Sequence, residues 1–323
     1  MSANAWGGVA GKAATAGQSA APSNQYDRAY YEARYERIHT TEGQMRMALV
    51  AKENCCKSGL AAELARTPEQ VEAGAIVTIF DFDNSASETI RHNFPDDPSI
   101  EIRTLFDETD DSIFNEDMSV NWLGLIDKTQ TFLNIYARKV AENPEAHAAL
   151  IMDGCSTFLK WCEFAMTDYL INRTKHPIDI ENGDNFNQKE WRTRNKLFRD
   201  TLTRADGPPI QKVFFTFHLK DHKVFQDIGS GQKGLIKIGE KPEWVEGTQR
   251  IMSQQIFLGR YQKTGDDAAG VYADPSLAPG EFVVKARIEE MKGRGMDLVG
   301  QERVVLRIKD GKVEWNGIPE LRW

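Results

Sequence analysis

Eight residues carry the most specific chemical signal in the chain: Ala51-Lys52-Glu53-Asn54-Cys55-Cys56-Lys57-Ser58. A phosphate-binding loop has the spacing G-x-x-x-x-G-K-[ST]. Its backbone N–H groups wrap the phosphates, its lysine pairs with the β and γ phosphates, and its hydroxyl ligates magnesium. The Lys-Ser pair is intact here, and Gly59 follows it. Both motif glycines are replaced, by Ala51 and Cys56. The second replacement is the serious one, because that glycine keeps side chains clear of the phosphates. A thiol there would also be open to oxidation or alkylation. By itself the octapeptide describes equally well an ordinary strand–turn–helix with an exposed Lys-Ser.

Other residues could complete such a site. Ala149–Asp153, ALIMD, is an apolar run ending in a carboxylate. Such an aspartate can hold magnesium through water, and it is equally suited to cap the next helix. Asp81 and Asp83 follow the apolar run IVTIF; either could polarise an attacking water or sit in a solvated turn. His218 ends the run VFFTF, where a polar residue could sense a γ phosphate at the carboxyl end of a sheet. A single histidine is more often structural. These signals agree in order and placement, and that agreement outweighs any one of them.

The elements that must position these residues follow from hydrophobic pattern. Met45–Val50, Ile76–Phe80, Ala148–Met152 and Val213–Phe217 predict strands, and Ser99–Leu105 an edge strand. Helical spacing appears in LAAELA after the loop, in Met118–Val140, in Cys155–Leu170 and in Glu190–Arg204. Apolar strands alternating with helices predict an α/β fold, a mostly parallel sheet flanked by helices. Phe282–Ile288, Val304–Ile308 and Lys312–Trp315 predict antiparallel strands, with Asp310-Gly311 as a turn. Residues 1–25, rich in Ala, Gly and Ser, read as a disordered tail. Residues 26–42 read as a helix or docking arm, and 43–323 as one domain with a C-terminal β-hairpin extension.

Composition sets outer bounds. The chain has 323 residues and a net charge of -8. That excludes coating nucleic acid by bulk charge and leaves room for a local basic groove. No apolar run approaches the roughly 18–20 residues of a membrane span. The four cysteines form no metal-binding spacing, so a reduced cytoplasmic setting is expected.

The stretches MRMALVAKENCCKSGLA, VTIFDFDNSA, ALIMDGCSTFLK, KEWRTRNKLFRDTL and KVFFTFHLKD, across about residues 45–223, resemble RecA-like P-loop ATPases. The closer resemblance is to the small AAA-type ATPases of phages and archaeal viruses that accompany single-strand annealing recombination. It implies a RecA-like core, ATP and Mg2+ as cofactors, single-stranded DNA as partner, a homo-oligomer, and a recombination partner protein. It also implies a phage- or virus-encoded protein in the cytoplasm of a prokaryotic host. Lys57 and Ser58 match the loop lysine and hydroxyl, and Asp153 the magnesium-ordering aspartate. Asp83 falls where the family keeps a catalytic glutamate, and His218 at its sensor position. Lys285–Gly295 resembles a cation-bearing hairpin that reaches a neighbouring subunit's nucleotide. Lys292 and Arg294 are its first candidates, then Lys285 and Arg287; a solvated basic turn is the plainer reading. Tyr30-Tyr31-Glu32-Ala33 resembles a subunit-docking motif. Loops 176–188 and 224–240 are the family's places for DNA. The cations of Glu190–Arg204 fit a solvated face of a covering helix better than a DNA contact. The alternative to an ATPase is a degenerate, non-hydrolysing nucleotide-binding module that assembles or tethers DNA, and Cys56 favours it.

Overall fold

A computed structural model describes residues 44–174, 188–227, 233–266, 269–292 and 295–322. The tail, the docking arm, Tyr30–Ala33, Arg294, residues 176–187 and the Gly-rich stretch 228–232 lie outside the described residues.

Seven strands are parallel to at least one neighbour. They are β1 (Met45–Ala51), β2 (Ile76–Asp81), β3 (Ile100–Thr104), β4 (His147–Asp153), β5 (Lys212–Asp227), β7 (Gln254–Gln262) and β8 (Val271–Ala273). Four more pair antiparallel: β6 (Lys233–Pro242), β9 (Phe282–Met291), β10 (Glu302–Lys309) and β11 (Lys312–Trp315). The main path runs β11-β10-β9-β7-β1-β5-β4-β2-β3; β6 joins β5, and β8 joins β7. The fold is thus α/β, a mostly parallel central sheet with antiparallel C-terminal strands. The turn after β10 is built as expected, with Asp310 at φ 51° and Gly311 at φ 73°, the left-handed pair that a tight hairpin requires.

Strand β1 is buried along its whole length, which is why its sequence is apolar without alternation. Its two faces feed two separate cores. Met47, Leu49 and Ala51 join a layer with Leu60, Ala61 and Leu64 of α1 (Lys57–Leu64). Ala48 and Val50 join an opposite layer under α4 (Trp122–Glu142), α5 (Cys155–Thr174) and α6 (Gln188–Asp206). Between them in the chain come the short helices α2 (Pro68–Glu72) and α3 (Ala86–Asn93). So the chain leaves β1 toward one face and leaves β4 toward the other. That divergence opens a crevice at the carboxyl ends of the strands.

One expectation needs correction. Strand β5 does not end at His218. It runs on to Asp227 and pairs antiparallel with β6, from Leu219↔Pro242 to Asp227↔Lys233. Most of the supposed 224–240 loop is therefore a two-stranded ribbon, and the short apolar pairs Val224-Phe225 and Leu235-Ile236, with Ile238, are its signal. Lys285 and Arg287 lie inside β9, on the strand expected over Phe282–Ile288, which extends in its pairing with β7 to Met291.

Helix α6 is a covering helix. Phe198 and Leu202 are fully buried, Arg194 stacks on Trp191 at 4.3 Å, and Arg199 donates to the Glu246 carbonyl.

The C-terminus clamps the far end of α1. Buried Glu63 accepts from Trp315 Nε1 at 2.8 Å and from Arg322, while Ile318 and Leu321 fill the adjoining core. Removing Arg322 would leave a buried carboxylate with one donor. Arg322→Ala should lower stability by about 2 kcal/mol. Glu63→Gln should lower it less, since the amide still accepts from Trp315 and the freed guanidinium is one-third exposed. Urea denaturation of both variants checks the ranking.

Candidate functional site

The loop between β1 and α1 bends through two left-handed residues, Asn54 at φ 55° and Cys56 at φ 58°. Cys56 is the residue before α1 and supplies no side-chain cap. The N–H groups of the first helical turn, at Lys57, Ser58 and Gly59, have no intrahelical acceptor. They face the crevice with the positive end of the helix dipole, the arrangement that receives an anion. Gly59 is buried, and a Cβ there would press on Asn93.

Cys56 is half-buried and packs against the apolar layer beneath α1, beside fully buried Cys55. Burial, then the neighbouring Cys55, pushes its thiol up to about 11. That shift disfavours the thiolate, the form through which oxidation or alkylation proceeds.

Ser58 Oγ donates to Asp153 Oδ2 at 2.6 Å, and Thr216 Oγ1 donates to Oδ1 at 2.6 Å. Thr216 also accepts from the Gly154 N–H at 2.8 Å. One carboxylate at the end of β4 thereby ties β1–α1 to β5. Gly154 must be glycine on two counts: its φ is +84°, and a Cβ would lie 3.0 Å from the Asp83 carboxyl group.

Lys57 Nζ donates to the Lys52 carbonyl at 3.1 Å. Burial holds the Lys57 ammonium below its ordinary range, against the opposing pull of Asp153. Burial likewise holds Asp153 above the ordinary carboxylate range, against the hydrogen bonds from Ser58 and Thr216.

Asp81, Asp83 and Asp153 each bring a carboxylate oxygen within 4.8 Å of the others. Asp81 Oδ2 accepts from the Ala86 N–H at 3.0 Å, and its buried Oδ1 has no hydrogen-bond partner among the described residues. Asp83 is exposed and accepts from the Ser85 N–H and hydroxyl. Carboxylates with a hydroxyl are a hard oxygen donor set, and the unpartnered Oδ1 is a free lone pair within it. Magnesium fits these residues.

His218 stands two residues beyond Thr216 on β5, and its N–H donates to Ser156 Oγ at 2.9 Å. Burial, then Lys57, lowers its pKa and so favours the neutral imidazole. Lys57, Ser58, Asp83, Asp153 and His218 thus come together at one crevice. Lys52 turns away from it to pair with Glu240 at 2.7 Å, its Nζ 5.1 Å from the Tyr272 ring centroid. Glu53 and Asn54 are exposed at the bend.

The candidates on β9, and Lys292 just past its end, carry partners of their own. Lys285 pairs with Asp274 at 2.6 Å, Arg287 with Glu289, and Lys292 with Glu290 at 3.2 Å.

No protein-family model matches the chain, and neither does any curated protein. Among solved structures it is similar to a KaiC-like protein from the hyperthermophilic archaeon Pyrococcus horikoshii OT3. That likeness is at 12% identity, spans 84% of this chain and 90% of the other, and has a TM-score of 0.39.

Sequence reasoning passed over Thr216 and Arg260. Thr216 announced itself as the one hydroxyl in an otherwise apolar strand, VFFTF. Arg260 had no local signal, since only the pairing of β7 with β1 brings it to the loop.

Burial, then Asp153 and Asp83, raises Asp81 to about 7. A carboxyl raised on folding contributes most below the unfolded pKa of roughly 4, and that contribution is lost as pH climbs to about 7. In EDTA, Asp81→Asn should therefore be more stable than wild type at pH 7.5, with the advantage shrinking toward pH 5. Thermal melts across that range check the slope.

Proposed function

We propose that the chain binds ATP with Mg2+ in this crevice and hydrolyses it. The observation that carries the reading is the Ser58–Asp153 hydrogen bond between the loop helix and the end of β4. It joins the hydroxyl and the carboxylate that such a site needs, beside a half-buried Lys57 that forms no ion pair among the described residues. Ser58 and Asp153 would hold the magnesium, with Asp81 at its edge. When bound, the ion neutralises phosphate charge and favours the leaving group. The α1 N–H groups hold the phosphate chain, and Lys57 pairs with its terminal oxygens. Asp83, exposed at the mouth, accepts a hydrogen bond from the attacking water. Neutral His218 offers a hydrogen bond to the γ phosphate without adding charge.

The same reading extends to assembly and to single-stranded DNA in recombination, alongside a partner protein. The β5–β6 ribbon supports the DNA part. Phe225 is 72% exposed at its end, with Leu235 and Ile238 also exposed, and Lys220, Lys223, Lys237 and Lys241 lie along it. Aromatic and cationic side chains together suit stacked bases and their backbone. Assembly is supported by the opposite face of β7–β9. A cavity of about 290 Å³ opens there among Tyr261, Tyr272, Lys285, Arg287 and Glu302, lined wholly by strand residues. A neighbouring copy seated there would meet Lys285 and Arg287.

The non-hydrolysing alternative has one specific support, the left-handed Cys56 where glycine is the easy residue. Steady phosphate release that vanishes in Lys57→Ala supports the enzyme; ATP binding without release supports the alternative. Cys56→Gly should raise ATP affinity by freeing the loop amides to turn toward phosphate. Unchanged affinity, measured by calorimetry, would mean that the loop is no phosphate cradle.

A further inference from the structure

Resting on the nucleotide reading above, we propose that Arg260 is a second cation of the phosphate loop, contacting a phosphate oxygen of the nucleotide bound by its own chain. Ile256, Leu258 and Arg260 alternate along β7, and the first two join the core that α1 covers. Arg260 therefore projects on the α1 side of the sheet. Leu258 is the register partner of Ala51, the last residue of β1. Arg260 thus lies one step past the strand end, level with the loop. The Cys55 thiol donates to the Glu53 carbonyl at 3.4 Å within the bend, and the Arg260 charge reaches both Cys55 and Cys56.

The guanidinium is held but not satisfied. It stacks over Phe282, 5.2 Å from the ring centroid. Its Nε is buried without a hydrogen-bond partner, and among the described residues no carboxylate pairs with it. Arg66, Arg307 and Arg322 also have a buried, unbonded Nε, yet each forms an ion pair, with Asp97, Glu281 and Glu63. Arg260 is the exception, and it is the one beside the loop. A half-buried cation left unpaired costs stability. The planar fork of an arginine matches phosphate oxygens. The missing counter-ion is then the nucleotide's phosphate chain, approached from the β7 side while Lys57 approaches from the start of α1.

The test uses the full chain and two probes, MgATP and magnesium with inorganic tripolyphosphate, by calorimetry. Arg260→Gln should weaken both by at least about tenfold. Its ligand-free melting temperature should stay level or rise, because an unpaired buried charge is gone. Arg260→Lys should recover part of the affinity, keeping the charge without the fork. Weakened ATP binding with unchanged tripolyphosphate binding overturns the proposal, since the contact would then be to the base or sugar. Wild-type affinity for both probes in Arg260→Gln overturns it, as does a lower ligand-free melting temperature. Wild-type protein that binds neither probe overturns the nucleotide reading as well, which separates the two failures.

Discussion

A single buried carboxylate fixes the geometry of the crevice. Asp153 is reached by hydroxyls from two neighbouring elements, Ser58 from the helix after β1 and Thr216 from β5. Those two hydrogen bonds favour its charged form, yet burial outweighs them. Burial also works against the charge of Lys57. The ligand-free site therefore holds ionisable groups in a place that penalises ionisation. A triphosphate and a divalent cation carry the charges that would relieve both penalties. Folding this chain holds Lys57 and Asp153 ready, and the cost of doing so is offset elsewhere by the two apolar layers.

The same carboxylate connects the crevice to the protruding ribbon. Thr216 and His218 face the site from β5, and the strand continues without a break through Leu219 into the β5–β6 pair. Lys52 of the loop meets that ribbon again through Glu240, which also receives the Tyr272 hydroxyl. Two routes, one along a strand and one through an ion pair, join loop and ribbon. An isolated two-stranded ribbon is marginal by itself, so its base is where these ties do the most.

How much of this was legible in the sequence differs by element. The buried parallel strands were, because a strand covered on both faces must be apolar throughout, as MRMALV and ALIMD are. The alignment of Lys57, Ser58, Asp83, Asp153 and His218 at one edge was also legible, since parallel strands place their carboxyl ends together. The ribbon was not. Gly229–Gly234 and scattered lysines looked like a loop, and the apolar pair Val224-Phe225 became meaningful only through the pairing of β6 with β5. Arg260 could not be found locally, because its meaning comes from a register with β1 across roughly two hundred residues of chain. The strand carrying Lys285 and Arg287 was legible in Phe282–Ile288, while its extension to Met291 came only with its pairing to β7.

Cys56 bears most directly on whether the crevice binds, hydrolyses or does neither. Glycine at this position serves two purposes, reaching a left-handed backbone and leaving room for phosphate. Cys56 meets the first at a cost of roughly 1–2 kcal/mol. The second depends on where its side chain goes, and it packs into the apolar layer under α1. The thiol's contacts there offset part of the strain. What replacing glycine costs is thus conformational freedom in the loop rather than the space above it. A loop that has lost freedom but kept its space can still receive an anion. On the proposed reading, hydrolysis would then rest on the groups of the other strands, Asp83 and His218.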